Sequence, residues 1–266
     1  MALIGVFDSG VGGLSILDEA LRQLPQHDYI YLADSANAPY GEKSSDWIAA
    51  RSLVLCRHLA SKGCDAIVVA CNTATAEAIQ QIRSELAIPI IGVEPGIKPA
   101  SMQSQNHIVG VLATEATLKS DKFNALLATL PKDCQFIKQA GVGLVPLIES
   151  GKADSTETLE LLANHLEPIQ IAGADTLVLG CTHFPFLRKA IRKLLGESIT
   201  LIDTSDAVVR QLKRQLEALH HQTPIKNCGA VVLVSSKNAD TLLSSAQDLM
   251  STDLDQHTAR ALGDVQ

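Results

Sequence analysis

The stretch Ala66–Thr75, AIVVACNTAT, constrains this chain more than any other. Five apolar residues, Ala66 to Ala70, run without interruption into Cys71, Asn72 and Thr73. A run this short and this rich in β-branched residues predicts a strand buried on both faces, the habit of parallel sheets covered by helices. The residues that follow, Asn72 to Arg83, carry Ala76, Ile79 and Ile82 at helical spacing. Cys71 is therefore expected at a strand-to-helix turn, at the carboxyl end of a buried strand, where open α/β sheets bind ligands. The pattern returns at Ala174–His183, ADTLVLGCTH, with Asp175 matching Asp65, Gly180 matching Ala70 and Cys181 matching Cys71. Two cysteines in equivalent turns predict two halves that serve one site.

The rest of the chain alternates in the same way. Strands are expected at Leu3–Phe7, Tyr29–Leu32 and Pro89–Val93, with helices from Leu14 to Leu24 and from Ser44 or Ser45 to Ala60. A second half begins with the strand His107–Leu112, whose Gly110 and Val111 echo Gly5 and Val6. Helices are read at Lys119–Leu130, Thr156–His165 and Phe184–Leu195, and strands at Cys134–Lys138, Leu177–Leu179 and Thr200–Ile202. A long helix from Ser205 to His221, a strand Gly229–Val234 and a helix Thr241–Met250 lie beyond both repeats, and the polar tail from Ser251 is expected to fray. The offsets, 105 from Gly5 to Gly110 and 110 from Cys71 to Cys181, describe a pseudo-repeat of two α/β halves. Alternating strands and helices throughout give the fold class α/β, with parallel sheets covered on both faces.

Composition excludes several classes of function. The 266 residues are 46% hydrophobic but only 3% aromatic, so Val, Ile, Leu and Ala must fill the core. A net charge of −7 with no basic tract argues against nucleic acid as a partner, because that affinity rests on Lys and Arg at phosphates. No apolar run is long enough to span a membrane, and MALIGVFDSG lacks the basic and hydrophobic regions of a signal peptide, so a cytoplasmic protein is expected. The six cysteines contain no CxxC pair, and no spacing of metal ligands is present. Cys56, Cys64, Cys134 and Cys228 are read as buried small hydrophobes.

The first turn, Asp8-Ser9-Gly10-Val11-Gly12-Gly13, is not the full dinucleotide fingerprint. It is either a plain tight turn or an anion cradle at a helix N-terminus. Cys71 and Cys181 are both expected at helix N-termini, which lower a thiol's pKa from about 8.5 and enlarge the thiolate fraction. One thiol alone would suggest covalent catalysis. A matched pair suggests that a thiolate removes a proton from carbon while a thiol returns one to the opposite face, inverting a stereocentre without a cofactor. Asp8, Ser9, Glu149 and His183 stand at other strand ends and could tune those protons. The plainer readings make Asp8 a helix N-cap, Glu149 a solvated acid and His183 a turn residue bonded to its own backbone.

GVFDSGVGGLSIL (5–17), YLADSANAPYG (31–41), VVACNTATA (68–76), GVEPG (92–96) and LGCTHFPFL (179–187) together resemble the glutamate racemases of the aspartate/glutamate racemase superfamily. CNTA with GCTH is shared across the superfamily, whereas FDSGVGG and the PYG loop belong to the glutamate branch. Asn37 departs from the pattern, which has arginine there. The resemblance implies cofactor-independent interconversion of L- and D-glutamate, supplying D-glutamate for peptidoglycan. It implies Cys71 and Cys181 as the acid/base pair, assisted by Asp8, Glu149 and His183. Substrate contacts would come from Asp8, Ser9, Tyr40, Gly41, Asn72, Thr73, Thr182 and His183. It implies two similar parallel-sheet domains with pseudo-two-fold symmetry and the active site in the cleft between them. The first would hold 1–93 plus 207–266 with Cys71, the second 94–206 with Cys181. For further partners it raises, without selecting, a homodimer and gyrase, which certain relatives bind. An amino-terminal extension, which carries regulation by a cell-wall precursor in some members, is not expected ahead of a strand that starts by Leu3. Competing readings are an aspartate racemase, a two-lobed amino-acid-binding protein, and a thiol hydrolase or redox enzyme using Cys181 and His183.

Overall fold

The computed structural model describes residues 1–219, 228–254 and 260–263. The chain forms two compact units, one from residues 1–93 with the described residues from Ser205 onward, the other from Glu94–Thr204. Every strand pairing in both is parallel.

The first unit opens with β1 (Leu3–Asp8), α1 (Leu14–Gln23), β2 (Asp28–Ala33), α2 (Ser45–Ser61), β3 (Ala66–Val69), α3 (Asn72–Glu85) and β4 (Ile90–Gly92). The second runs α4 (Ile97–Gln103), β5 (Ile108–Ala113), α5 (Glu115–Lys119), α6 (Asp121–Ala128), β6 (Gln135–Ala140), α7 (Leu144–Glu149), α8 (Thr156–Ile171), β7 (Thr176–Gly180), α9 (Arg188–Leu195) and β8 (Thr200–Ile202). The chain then returns to the first unit with α10 (Ser205–Ala218), β9 (Val231–Ser235), α11 (Ala239–Leu249) and β10 (Arg260–Gly263). The first sheet has the order β10-β9-β2-β1-β3-β4, the second β6-β5-β7-β8. The four strands β2-β1-β3-β4 thus repeat as β6-β5-β7-β8, with Cys71 after β3 and Cys181 after β7.

The pseudo-repeat has a physical basis at two pairs of positions. Asp65, just before β3, accepts the Leu3 amide at 2.8 Å, and its own amide donates to the Leu3 carbonyl at 2.8 Å. Asp175, just before β7, accepts the Gln105 and Asn106 amides at 2.7 and 2.9 Å and the Ser104 hydroxyl at 2.6 Å. Each aspartate ties the start of a cysteine strand to the chain entering the central strand, and these bonds hold Asp175 below the usual carboxylate range against the opposing effect of burial. Gly5 and Gly110 lie where a helix crosses the central strand. A Cβ would stand 3.1 Å from Leu59 of α2 at Gly5 and 2.5 Å from Ile169 of α8 at Gly110. The packed core around β3 contains Phe7, Leu32, Leu55, Leu59, Ile67, Val69, Ile79 and Ile82.

Several expectations about element bounds are corrected. The helix read over Lys119–Leu130 is α6 alone, Asp121–Ala128, and Lys119 instead closes a separate α5, because Ser120 leaves helical geometry and its hydroxyl caps α6 through the Phe123 amide at 3.2 Å. The helix read at Thr156–His165 continues to Ile171 with Pro168 inside it; Leu166 and Ile169 are buried, and that packing outweighs the bond Pro168 cannot make. The helix from Phe184 begins as a 3₁₀ turn, Phe184–Leu187, before α9. α4, absent from the sequence reading, follows Gly96 and buries Ile97 and Ala100. The tail was expected to fray, yet Arg260–Gly263 pairs with β9 as an edge strand. The helix expected to end at His221 is described to Ala218, and His221 lies outside the described residues. Among the described residues no helix is long and apolar enough to cross a membrane.

Candidate active site

In the first unit the polar residues gather at the carboxyl ends of β1, β2 and β3. Cys71 is the N-cap of the fourteen-residue α3, a place ordinarily taken by Ser, Thr, Asp or Asn. Its sulfur accepts the Ala74 amide at 3.5 Å and lies 3.6 Å from the Ser9 hydroxyl. Sulfur in this position meets both the unpaired amides of the helix end and the positive end of its dipole, which stabilise a thiolate. By contrast, burial pushes Cys56 up to about 12 and Cys64 up to about 11, where the thiols stay neutral. Burial also raises Cys134, as do Asp133 and Asp175.

Asp8 ends β1 and is fully buried. It is not the cap of α1, whose N-cap is Gly13 without a side-chain bond; its carboxylate instead accepts the Gly10 amide at 2.8 Å. The glycine turn reads as close packing. A Cβ on Gly13 would stand 2.7 Å from the Asp8 Cβ and 3.0 Å from the Ala70 Cβ and the Tyr31 hydroxyl. Tyr31 donates to the Gly10 carbonyl at 2.6 Å, which fixes the turn from below. Beside Cys71, Asn72 is 5% exposed and its side-chain Nδ2 has no hydrogen-bond partner. A buried amide left so is costly unless a ligand completes it. Thr73 is buried next to it.

Tyr40 is buried in the same core as Cys71, between Phe7 and Trp47, with ring centroids 6.2 and 5.3 Å away. Its hydroxyl donates to Asp34 at 2.7 Å. Burial and the Asp34 carboxylate hold that hydroxyl protonated. The turn Tyr40–Gly41 can therefore offer backbone amides, but not the Tyr40 hydroxyl, to a carboxylate. Asp34 and its partner Arg51 were not singled out in the sequence. The available signal was a lone acid closing the buried strand β2, next in the sheet to Asp8.

In the second unit Cys181 follows β7 but does not cap an α-helix, contrary to the expectation; its carbonyl accepts the Phe184 amide of the 3₁₀ turn at 3.0 Å. Its sulfur lies 3.7 Å from Nδ1 of His183, and Nε2 of His183 lies 2.6 Å from Oε1 of Glu149 at the end of α7. His183 is 2% exposed. Burial works against its protonation, but the bonds to Cys181 and Glu149 prevail and raise it well above the ordinary imidazole value. In the imidazolium form both ring nitrogens donate, one to sulfur and one to carboxylate. Glu149 is thus a bonded, largely covered carboxylate and not a solvated one. Thr182 is buried between Cys181 and His183. Each unit therefore presents a cysteine at the same topological position, held by different donors. Among the described residues no cluster of three His, Cys, Asp or Glu side chains could hold a metal ion.

Known proteins resemble this chain over most of its length. The sequence profile described as Asp/Glu/Hydantoin racemase matches residues 4–212. The glutamate racemase of Ralstonia nicotianae is 56% identical over 221 residues, covering 83% of this chain and 80% of its own. That of Cupriavidus pinatubonensis is 50% identical over 260 residues, 97% of this chain and 94% of its own. The crystal structure of Escherichia coli glutamate racemase, in complex with L-glutamate and the activator UDP-MurNAc-ala, superposes with a TM-score of 0.84 at 34% identity, covering 97% and 96% of the two chains.

Proposed function

The chain belongs to the Asp/Glu/Hydantoin racemase family, in its glutamate racemase branch, and we propose that it interconverts L- and D-glutamate in the cytoplasm without a cofactor, supplying D-glutamate for peptidoglycan. The observation that carries the reading is the pair Cys71 and Cys181, each at the carboxyl end of the equivalent strand and each hydrogen-bonded at sulfur. One thiolate removes the α-proton, and the other cysteine, as thiol, donates a proton to the opposite face. The roles exchange for the other enantiomer. By its resemblance to the family, Cys71 is the base toward D-glutamate and Cys181 the base toward L-glutamate. His183, protonated and anchored by Glu149, stabilises the Cys181 thiolate; the helix end and Asp8 serve Cys71. The unfilled Asn72 amide, with Ser9, Thr73, Thr182 and the Tyr40–Gly41 turn, would hold the two carboxylates by neutral donors.

The test is racemisation of each glutamate enantiomer in heavy water. A thiol exchanges its proton with solvent, so the product should carry deuterium at the α-carbon while unreacted substrate initially retains hydrogen. Product that kept its original α-hydrogen would sink the two-base scheme, and turnover of aspartate in place of glutamate would move the substrate. A second reading has one observation behind it: Cys181, His183 and Glu149 have the connectivity of a nucleophile, base and orienting acid. It gives Cys71 no part, and a thioester adduct on Cys181 would favour it.

A further inference from the structure

Asp34 opens the connection out of β2 and is fully buried, yet five bonds converge on its carboxylate. Arg51, on α2, donates Nε to Oδ2 at 2.9 Å and Nη2 to Oδ1 at 2.7 Å. The Tyr40 hydroxyl donates to Oδ2 at 2.7 Å, and Asn37 lies 3.1 Å from both oxygens. The Asp34 amide donates to the Asp8 carbonyl at 3.0 Å, so the cluster adjoins the candidate site directly. Asp34, Tyr40 and Arg51 stand at the end of a strand, in a turn and two turns into the next helix. Together they brace the whole connection from β2 to α2. A buried ion pair gains little over apolar packing of the same volume, so stability is a weak reason for its presence. What a bidentate guanidinium does supply is orientation.

We infer that Arg51 is a positioning residue, which through the buried Asp34 carboxylate fixes Tyr40 and thereby the Tyr40–Gly41 turn that holds a substrate carboxylate. The inference rests on the proposed role of that turn in binding glutamate. It takes Asn37 as a side donor to Asp34 and makes Arg51 the principal one. Lysine could replace the charge of Arg51 but not its two-pronged contact.

Trp47, the chain's single tryptophan, packs edge-on against Tyr40 and reports on the turn by its emission. D-Glutamate is titrated into wild type, Tyr40→Phe, Arg51→Lys and the double variant, with KM and kcat measured beside. Tyr40→Phe should weaken binding by about tenfold and Arg51→Lys by about threefold, with kcat held within about threefold. The double variant should be no weaker than Tyr40→Phe alone, because Arg51 acts only through that hydroxyl's acceptor; independent structural effects would multiply. Arg51→Lys binding like wild type, or losses that multiply, would overturn the inference. Saturable binding by wild type without racemisation would instead fail the proposed activity and leave the positioning role measured by binding alone. These conservative changes leave no uncompensated buried charge, and a thermal melt of each confirms that it is folded.

Discussion

The two cysteines differ in what holds their sulfur, and that difference is measurable. Ser has the shape of Cys but a hydroxyl far too weakly acidic to act as the base. Cys71→Ser and Cys181→Ser should each abolish racemisation from both enantiomers, since each direction needs both groups. On a substrate analogue that expels a leaving group after deprotonation, one variant should process one enantiomer and the other variant its mirror image. If both variants kept the same enantiomer, two opposed bases would be the wrong description. His183 adds a pH signature on the Cys181 side only. Its folded-state value lies above the ordinary one, so its protonation stabilises the fold fully below the ordinary imidazole pKa of about 6.5. That contribution is lost as pH rises through the raised value. The melting temperature of wild type minus that of His183→Asn should therefore be largest near pH 6 and shrink steadily toward alkaline pH. A gap that widened with pH would mean that His183 is held neutral.

At the level of elements, the glycine turn between β1 and α1 is tight for a reason of contact and not of dihedral angle. Gly13 has φ −64° and ψ −10°, values any residue adopts, but its Cβ would meet Asp8, Ala70 and Tyr31. Gly13→Ala should lower stability by ~1–3 kcal/mol through overpacking, despite alanine's better helix propensity. It should also reduce kcat, because Asp8 is the nearest atom to give way; an unchanged melting temperature would show that the turn yields freely. The sequence made such strand ends legible wherever an apolar run met a turn: β1, β3, β5 and β7 all stand where their β-branched residues place them. It was less informative where packing overrides local signals. The helix read to His165 runs on through Pro168 in α8 because buried neighbours carry it past. Cys181 reads like Cys71 from its flanking residues, yet Pro185 after it gives a 3₁₀ turn, and the sulfur finds an imidazole in place of helix amides. The Asp34–Arg51 pair was hidden because its partners are seventeen residues apart and Arg51 belongs to no motif.

On the scale of the whole molecule, the order of the chain makes the two units unequal in how they can fold. The second is continuous, Glu94–Thr204, and all four of its strands pair within that span. The first is split: β2 lies between β1 and β9, and β9 arrives only after the second unit has been made. Without it, β2 becomes an open edge along Tyr29 to Ala33, an exposed strand of the kind that templates aggregation. The loss of α10 also uncovers the face of α1, where Val208, Val209, Leu212 and Leu216 are now buried. A fragment of residues 94–204 should accordingly melt cooperatively and keep the bond between Cys181 and His183, seen as a melting temperature above that of a His183→Asn fragment. A fragment of residues 1–93 should be insoluble or lack a cooperative transition, and adding the C-terminal segment through a short linker should restore one. Neither fragment should racemise glutamate, since each brings one cysteine to a reaction that needs two. A cooperative melt from 1–93 alone would show that β9 and α10 are additions to a finished sheet. The outcome expected here makes them the elements that complete it, and makes the folding of the Cys71 half wait on the chain beyond the Cys181 half.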